Sequence, residues 1–298
     1  MTGQSLAQTR ERLAALPRLA LWIIAARFKT VSLSLMPVLV AGWLAAGQGG
    51  FRLDVTAAAM LAASAIQVGT NLWNDAADAA RGVDRDDRLG PPRMTALGLL
   101  DGAQVRRGAL AAFGVAGLAG LYLTALGGWP IVVIGLVSLL LGYLYSMGPY
   151  PMSGLPFGEV LVIAFFGFVA VSATAWLQGV DPMAGRTLLT GAMIGFPAAA
   201  VLLLNNHRDR AQDERAGRRT LAIVIGERAS KLLYFVFLLA ACGFAALIAP
   251  SLWLALPVGL VLWLGHAMWH WPISAKLNRL LAQTAGAQML LVLAVVLA

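Results

Sequence analysis

Long apolar segments alternate with short polar connections along the whole chain. A helix that crosses a bilayer core about 30 Å thick needs about 20 predominantly apolar residues, and nine segments meet that requirement. Their approximate bounds are 30–47, 54–74, 106–126, 129–147, 157–178, 184–204, 231–249, 252–271 and 279–298. The pattern predicts an all-α polytopic membrane protein with nine transmembrane helices.

Composition supports a single integral-membrane domain over residues 1–298. Hydrophobic residues make up 59% of the chain and charged residues only 12%, whereas soluble domains carry about 25% charged residues. The segment 1–29 mixes arginines with apolar residues and is expected to lie in the membrane interface rather than to span it. No cleavable signal peptide is evident, and the lone Cys242 has no partner for an internal disulfide.

The basic residues predict how the chain is oriented. Net charge is +8, and 20 of the 22 Lys and Arg residues fall on one predicted side of the membrane, leaving only Arg52 and Arg186 on the other. The positive-inside rule then places the amino terminus and the connections 75–105 and 205–230 in the cytoplasm. Because no polar domain carries these residues, we expect them to face anionic lipid and anionic substrates, not nucleic acid.

Two acidic motifs follow predicted spans and are separated by four further spans. The first is NLWNDAAD (71–78) and the second is NNHRDRAQD (205–213); both contain Asn-x-x-x-Asp. On a continuing helix, residues three or four positions apart share a face. Carboxylates at the edge of a bilayer are costly and are usually functional. The two motifs therefore predict one divalent-metal site built from two halves.

The side chains of these motifs suit a magnesium diphosphate. Mg²⁺ prefers oxygen ligands and often shares its coordination shell with phosphates. The predicted metal ligands are Asp75, Asp78, Asp209 and Asp213, with Asp84 as a further carboxylate and with Asn71 and Asn205 as neutral ligands or orienting groups. Arginine forks suit phosphate oxygens, and the candidates are Arg93, Arg208, Arg218 and Arg219. At a membrane edge, the natural diphosphate carries an apolar tail.

A reaction follows from this chemistry. Metal and arginine stabilise charge on the departing diphosphate, the allylic carbon left behind is cationic, and a dry pocket protects it from water. Aromatic faces stabilise cations, with Trp73, Tyr143 and Tyr145 as candidates. An electron-rich acceptor then captures the carbon.

Over nearly its whole length the chain resembles the UbiA-type intramembrane prenyltransferases, in particular those that prenylate 1,4-dihydroxy-2-naphthoate in menaquinone synthesis. Beyond the two motifs, the matching text is RFKT (27–30) with Pro37, GVD (82–84), RLGP (88–91), GYLYS (142–146), GP (148–149), GE (158–159) and AGRRTLA (216–222).

The resemblance implies a cavity at the centre of nine helices, open to the cytoplasmic side, and Mg²⁺ as cofactor. It implies a polyprenyl diphosphate and an aromatic acceptor as substrates, with loss of the acceptor's carboxylate, and a bacterial inner-membrane location. Catalytic roles are expected for Asn71, Tyr143, Tyr145 and the four aspartates. Substrate binding is expected for Lys29, Asn74, Arg93, Asn205, Asn206, Arg208, Arg218 and Arg219.

Some positions depart from the family pattern. Phe28 stands where Pro is usual, Ala76 and Ala77 follow the first aspartate where aromatic residues are common, and Arg218 replaces a frequent Lys. The alanines leave the metal ligands intact but bear on the acceptor. We therefore keep 4-hydroxybenzoate, homogentisate, haem, a tetrapyrrole alcohol and cyclisation of the prenyl chain as alternatives.

Other interpretations remain open at this stage. The aspartates could be solvated charges, and the arginines could serve topology alone. Glu159, at the start of a predicted span, could cap its helix or act as an acid or base. A secondary transporter is the alternative of a different class, although the charges gather at one side and the span interiors are nearly free of charge. No motif specifies the oligomeric state.

Overall fold

The computed structural model describes residues 6–80, 89–146 and 151–298. Every regular element within these ranges is helical, which confirms the all-α prediction. The α-helices are α1 (Leu6–Ala14), α2 (Arg18–Ala26), α3 (Phe28–Ala46), α4 (Leu53–Ala80), α5 (Gly102–Gly127), α6 (Trp129–Ser146), α7 (Gly158–Val162), α8 (Ala170–Leu177), α9 (Gly185–Arg215), α10 (Leu221–Ile248), α11 (Ala255–His270) and α12 (Leu277–Val296). A π-helix (Ile163–Val169) joins α7 to α8. The short 3-10 turn Met152–Gly154 precedes α7, and another, Leu252–Leu254, precedes α11.

Seven helices of the described chain are long and apolar enough to cross a membrane, with Gly158–Leu177 counted as one. The pair α2 and α3, bent by 59°, would make an eighth. The apolar part of α6, Trp129–Leu144, is shorter than the other spans. Its 16 residues extend only about 24 Å, less than the bilayer core of about 30 Å. The nine predicted spans are therefore not confirmed, and the central cavity stays a prediction.

Helix α9 is the most deeply buried of the long helices. It packs against α10, α12 and the π-helix. Glycines allow this close contact, because a Cβ atom at Gly167 would stand 2.5 Å from the carbonyl oxygen of Gly191, and one at Gly195 would stand 2.9 Å from that of Ile163. With 31 residues, α9 extends about 46 Å, longer than the bilayer core. Its last turns carry the charged residues of the second motif, so these turns are the part of α9 that we expect to extend beyond the core.

The two acidic motifs lie on helices, not in connecting loops. Helix α4 continues to Ala80 and α9 continues to Arg215, so the predicted connection 205–230 was largely wrong: only residues 216–220 separate α9 from α10. Hydropathy falls where charged residues begin, but Arg, Ala, Gln and Glu are good helix formers and sustain the helix. The first connection is better predicted, since residues 89–101 are non-helical until Asp101 caps α5.

The amino-terminal segment folds over the connection that follows the first motif. Leu13 of α1 and Leu21 of α2 belong to one buried cluster with Met94, Leu100 and Val105. Two polar contacts reinforce this packing: Arg10 donates to the carbonyl of Leu97 (3.0 Å), and Arg18 donates to Gln104 (2.5 Å). Helices α1 and α2 thus brace that connection and the start of α5, while the position of segment 1–29 at a membrane interface stays a prediction.

Candidate active site

Asp75 joins helix α4 to the connection that follows it. Its side chain is buried, with 1% of the residue exposed, and its two oxygens accept the backbone N–H groups of Met94 (3.1 Å) and Thr95 (2.9 Å). Hydrogen bonds to an ionised carboxylate are stronger than neutral ones. Asp75 therefore fixes the turn that begins at Arg93 against the end of α4.

Asp78 lies one turn further along the same face of α4, as its spacing predicts. It forms an ion pair with Arg93, which also donates to the backbone carbonyl of Asn74. Both side chains of the pair are largely buried. The turn fixed by Asp75 thus delivers Arg93 to Asp78, and two residues predicted as metal ligand and phosphate binder meet.

Arg218 connects the two motifs. Its guanidinium lies 2.9 Å from Oδ1 of Asp213 and 3.7 Å from Oδ1 of Asp78. Asp78 belongs to α4 and Asp213 to α9. The two motifs, distant in sequence, therefore meet at Arg218, and the single metal site that they predict stays a prediction.

The backbone after α9 explains how Arg218 reaches this position. Gly217 adopts a left-handed conformation with φ 74°, its N–H bonds the carbonyl of Glu214, and the N–H of Arg218 bonds the carbonyl of Asp213 at 2.9 Å. This pair of bonds is the Schellman ending of a helix, which favours glycine at the left-handed position. The chain reverses there and returns Arg218 over the end of α9.

Asp209 is held by its neighbour Arg208 in a buried network. Arg208 is 2% exposed, pairs with both oxygens of Asp209 (2.8 and 2.6 Å), and donates to Asn205 (2.8 Å) and Asn278 (2.6 Å). Asn278 in turn donates to the carbonyl of Leu89 (2.8 Å). The network ties the second motif to α12 and to the connection after the first motif.

Asn278 was missed by the sequence analysis. It stands in the first turn of α12, outside any motif, and the only local signal is a polar residue beside Arg279 at the start of an apolar helix. Its bond to Leu89 joins two residues that are 189 positions apart in the sequence. Such a contact is not visible in local sequence.

Asn206 and Glu159 form a second polar contact on α9. The amide of Asn206 donates to Oε1 of Glu159 at 2.9 Å. Glu159 is buried on the first turn of α7. Nearby, the N–H of Arg219 bonds the carbonyl of Gly154 at 2.7 Å, so the turn that precedes α7 is attached to the segment that carries Arg218.

Asn71 lies against the bend between α2 and α3. Its amide donates to the carbonyl of Ala26 (2.9 Å) and to the hydroxyl of Thr30 (3.1 Å), while its oxygen accepts from Gln67 (3.3 Å). The side chain thus anchors the bend, where Arg27 has φ 51°. Its expected catalytic role stays a prediction.

The remaining predicted residues are less informative. Tyr143 on α6 is 53% exposed. Asn74 meets Arg93 only through its backbone carbonyl among the bonds described above. The side chains of Lys29 and Tyr145, and the whole of Asp84, lie outside the described residues.

The carboxylates do not gather around one point. Within the described ranges, no three Asp, Glu, His or Cys residues are placed to hold a metal ion together. Asp75 is bound to backbone amides and Asp209 to Arg208, so the four-carboxylate site is not confirmed. The donor set between Asp78 and Asp213 nevertheless suits Mg²⁺, because two oxygen-bearing anions there already attract one cationic group, the Arg218 guanidinium.

Comparison with known proteins places this fold and site in a family. A sequence model of the UbiA prenyltransferase family matches residues 34–293. The 1,4-dihydroxy-2-naphthoate octaprenyltransferase of Bacillus subtilis is 34% identical over 213 residues, covering 68% of this chain and 65% of the Bacillus protein, just under two thirds of its length. Its namesake from Mycobacterium tuberculosis is 34% identical over 222 residues, covering 72% of this chain and 73% of that protein.

Solved structures support the fold. A UbiA homologue from Aeropyrum pernix K1 superposes with a TM-score of 0.67 at 12% identity and covers 95% of this chain and 99% of its own. A homologue from Archaeoglobus fulgidus, solved with GPP and Mg²⁺, gives a TM-score of 0.58 at 14% identity, with 91% and 99% covered. The chain therefore belongs to the UbiA prenyltransferase family, which confirms the resemblance carried by its two acidic motifs and the enzyme class that they predict.

Proposed function

We propose that this protein transfers a polyprenyl group from its diphosphate to 1,4-dihydroxy-2-naphthoate, with Mg²⁺ and with loss of the acceptor's carboxylate. The observation that carries the proposal is the position of Arg218 between Asp78 and Asp213. That arrangement gives the joined motifs both signs of charge, as a metal-bound diphosphate requires. The relatives at 34% identity are named for this acceptor, and the Archaeoglobus homologue was solved with GPP and Mg²⁺.

The side chains divide the work of holding the diphosphate. Asp78 and Asp213 would hold Mg²⁺, which supplies charge neutralisation to the diphosphate oxygens. Arg93 and Arg218 would then exchange their carboxylate partners for phosphate oxygens, for which their forked donors are equally suited. Asp75 keeps Arg93 in place through the backbone of Met94 and Thr95.

The reaction is a substitution at the allylic carbon. The bond from that carbon to the diphosphate oxygen breaks, and its electron pair leaves with the diphosphate, which the arginines stabilise. The ring carbon that bears the carboxylate forms the new carbon–carbon bond. Carbon dioxide then departs and leaves its bonding electrons in the ring, which restores aromaticity.

Location and orientation form part of the proposal. Seven helices of the described chain, together with family membership, support an integral membrane protein. We place it in a bacterial inner membrane, with the amino terminus and both motifs on the cytoplasmic side, because nearly all basic residues fall on that side.

Product analysis tests the proposed function. Purified protein in lipid nanodiscs is incubated with geranylgeranyl diphosphate, Mg²⁺ and 1,4-dihydroxy-2-naphthoate carrying a ¹³C-labelled carboxylate. We expect a prenylated naphthalenediol and one labelled carbon dioxide per product, both abolished by EDTA. Prenylation of 4-hydroxybenzoate or homogentisate instead would reassign the acceptor. Failure to bind the diphosphate in Mg²⁺, with substrate flux in proteoliposomes, would favour the transporter alternative.

A further inference from the structure

Glu159 is a buried carboxylate without a cationic partner among the described residues. It is 1% exposed, its Oε1 accepts from Asn206, and its Oε2 is buried with no hydrogen-bond partner in the described part of the chain. A buried polar oxygen that accepts no hydrogen bond is costly and rare in native proteins. An unpartnered oxygen of this kind is therefore explained best by a ligand that donates a hydrogen bond to it.

The position of Glu159 places that ligand next to the diphosphate site. Asn206, which holds Glu159, lies seven positions before Asp213 on α9, so the two share a face about 10 Å apart along the helix axis. Asp213 is the residue that binds Arg218, so Glu159 lies on the side of the site that leads toward the apolar part of α9. A polyprenyl diphosphate bound at the end of α9 would have its apolar tail, and with it the reactive carbon, on this side.

The hydrogen-bonding chemistry of Glu159 favours the aromatic substrate over the diphosphate. The carboxylates of both motifs are bound to guanidinium groups or backbone amides, whereas Oε2 of Glu159 has neither in the described residues. A carboxyl oxygen accepts hydrogen bonds from hydroxyl groups, whereas the ionised oxygens of a metal-bound diphosphate have no hydrogen to donate. Dihydroxylated aromatic rings carry such groups.

We infer that Glu159, held by Asn206, binds the aromatic acceptor through a hydrogen bond from one of its ring hydroxyls. This inference rests on the proposed function and names the residue that positions the second substrate. The hydrogen bond orients the ring toward the allylic carbon. It also keeps electron density on the ring oxygen, which strengthens the ring as a nucleophile.

The test compares Glu159→Gln with wild type in nanodiscs. Glutamine keeps the size of the side chain and an oxygen that accepts from Asn206. It replaces Oε2, the proposed acceptor for the ring hydroxyl, with an NH₂ group that cannot accept. We expect kcat/KM for 1,4-dihydroxy-2-naphthoate to fall about 10- to 100-fold, the range for losing a hydrogen bond to a charged group. The Kd of geranyl thiodiphosphate in Mg²⁺ should stay within about twofold, which also reports that the variant is folded.

Methyl ethers of the acceptor separate contact from structure. In wild type, one of the two mono-methyl ethers of 1,4-dihydroxy-2-naphthoate should react as poorly as the natural acceptor does with Glu159→Gln. In the Glu159→Gln variant, that methyl ether should lower kcat/KM no further, because the hydrogen bond that the ether removes is already lost. Glu159→Asp keeps the charge on a shorter stem, and it should weaken acceptor use while retaining sensitivity to the ether.

Control and contrary outcomes are distinct. Glu227→Gln removes an exposed carboxylate paired with Lys231 and should leave all parameters unchanged. Suppose that wild type is active and that Glu159→Gln is as active as wild type, or loses as much kcat/KM as wild type when the acceptor is methylated. Either result overturns this inference and leaves the proposed function standing. A Glu159→Gln variant that loses thiodiphosphate binding also overturns it. A wild type that prenylates no hydroxylated ring overturns the proposed function as well.

Discussion

Arg218 is the residue on which the two halves of the site depend. Its fork spans Asp213 on α9 and Asp78 on α4, and its side chain is only partly exposed. A point charge on a flexible stem, as in lysine, cannot satisfy both carboxylates with the same geometry. The arginine that departs from the family's more frequent lysine therefore has a structural reason in this chain.

Substituting Arg218 should impair diphosphate use specifically. We expect Arg218→Ala to lower kcat/KM for the prenyl diphosphate about 100-fold, because a charge-assisted contact to the leaving group is lost. Arg218→Lys should recover part of that loss. Steady-state kinetics with Arg228→Ala as the matched control, an exposed arginine on α10, checks this. Equal effects of the Arg218 and Arg228 substitutions would remove Arg218 from the site.

Asp75 should differ from Asp78 in what its loss does. Asp75→Ala leaves two buried amides unpaired, at a cost of about 2 kcal/mol in folding stability. It should therefore speed hydrogen exchange at Met94 and Thr95 and lower Tm, besides reducing turnover. Asp78→Ala should reduce turnover with those amides still protected. Unchanged protection at Met94 and Thr95 in Asp75→Ala would contradict the role assigned to Asp75.

Residue identity was easier to predict than residue role. The motifs identified Asp75, Asp78, Asp209 and Asp213 from spacing alone, and two of the four face each other through Arg218. The sequence could not show that Asp75 binds backbone amides or that Asp209 pairs with Arg208. Nor could it pair Asn206 with Glu159, since these contacts depend on how distant elements pack. Ala76, expected to affect the acceptor side, instead packs in the cluster that holds α2.

Helices α4 and α9 position the site because both are longer than the bilayer core is thick. Each carries its motif on its final turns, where a rigid backbone sets the spacing of the side chains. A sequence analysis based on hydropathy ends such helices too early, because it detects lipid-facing residues and not backbone conformation. The Schellman ending at Gly217 could not be predicted either, because its prediction requires knowing where α9 ends.

Gly217 gives a test at the level of the element. Its φ of 74° costs an L-residue about 1 kcal/mol, and Gly217→Ala should displace the turn that carries Arg218. We expect the KM for prenyl diphosphate to rise several-fold with little change in the KM for the acceptor. Gly243→Ala, within α10 and with nothing near the added Cβ, is the matched control and should match wild type. A Gly217→Ala variant with unchanged kinetics would show that this helix ending is dispensable.

At the scale of the whole molecule, contacts between distant segments hold the two acidic motifs near each other. The amino-terminal helices brace the connection after α4, and the network through Asn278 ties that connection to α9 and α12. Both contacts hold the first motif close to the second. Charge distribution and motif order predicted that the motifs meet. They did not predict the number of spans, because the chain bends between α2 and α3 and because α6 is short.

Orientation can be tested with single cysteines in a Cys242→Ala background. Glu214→Cys, at the end of α9, should react with a membrane-impermeant maleimide only in inverted vesicles. Gln48→Cys, in the connection between α3 and α4, should react in intact cells. Both positions are exposed. Labelling of both from the same side would contradict the predicted topology.

The central claim is that Asp78 and Asp213 serve one diphosphate, and a double-mutant cycle tests it most directly. The measurement is the Mg²⁺-dependent Kd of geranylgeranyl thiodiphosphate for Asp78→Asn, Asp213→Asn and the double variant. If the two carboxylates act on one ion-bound ligand, the double variant should bind little worse than the weaker single variant. A loss equal to the product of the two single losses would show independent sites and contradict the account.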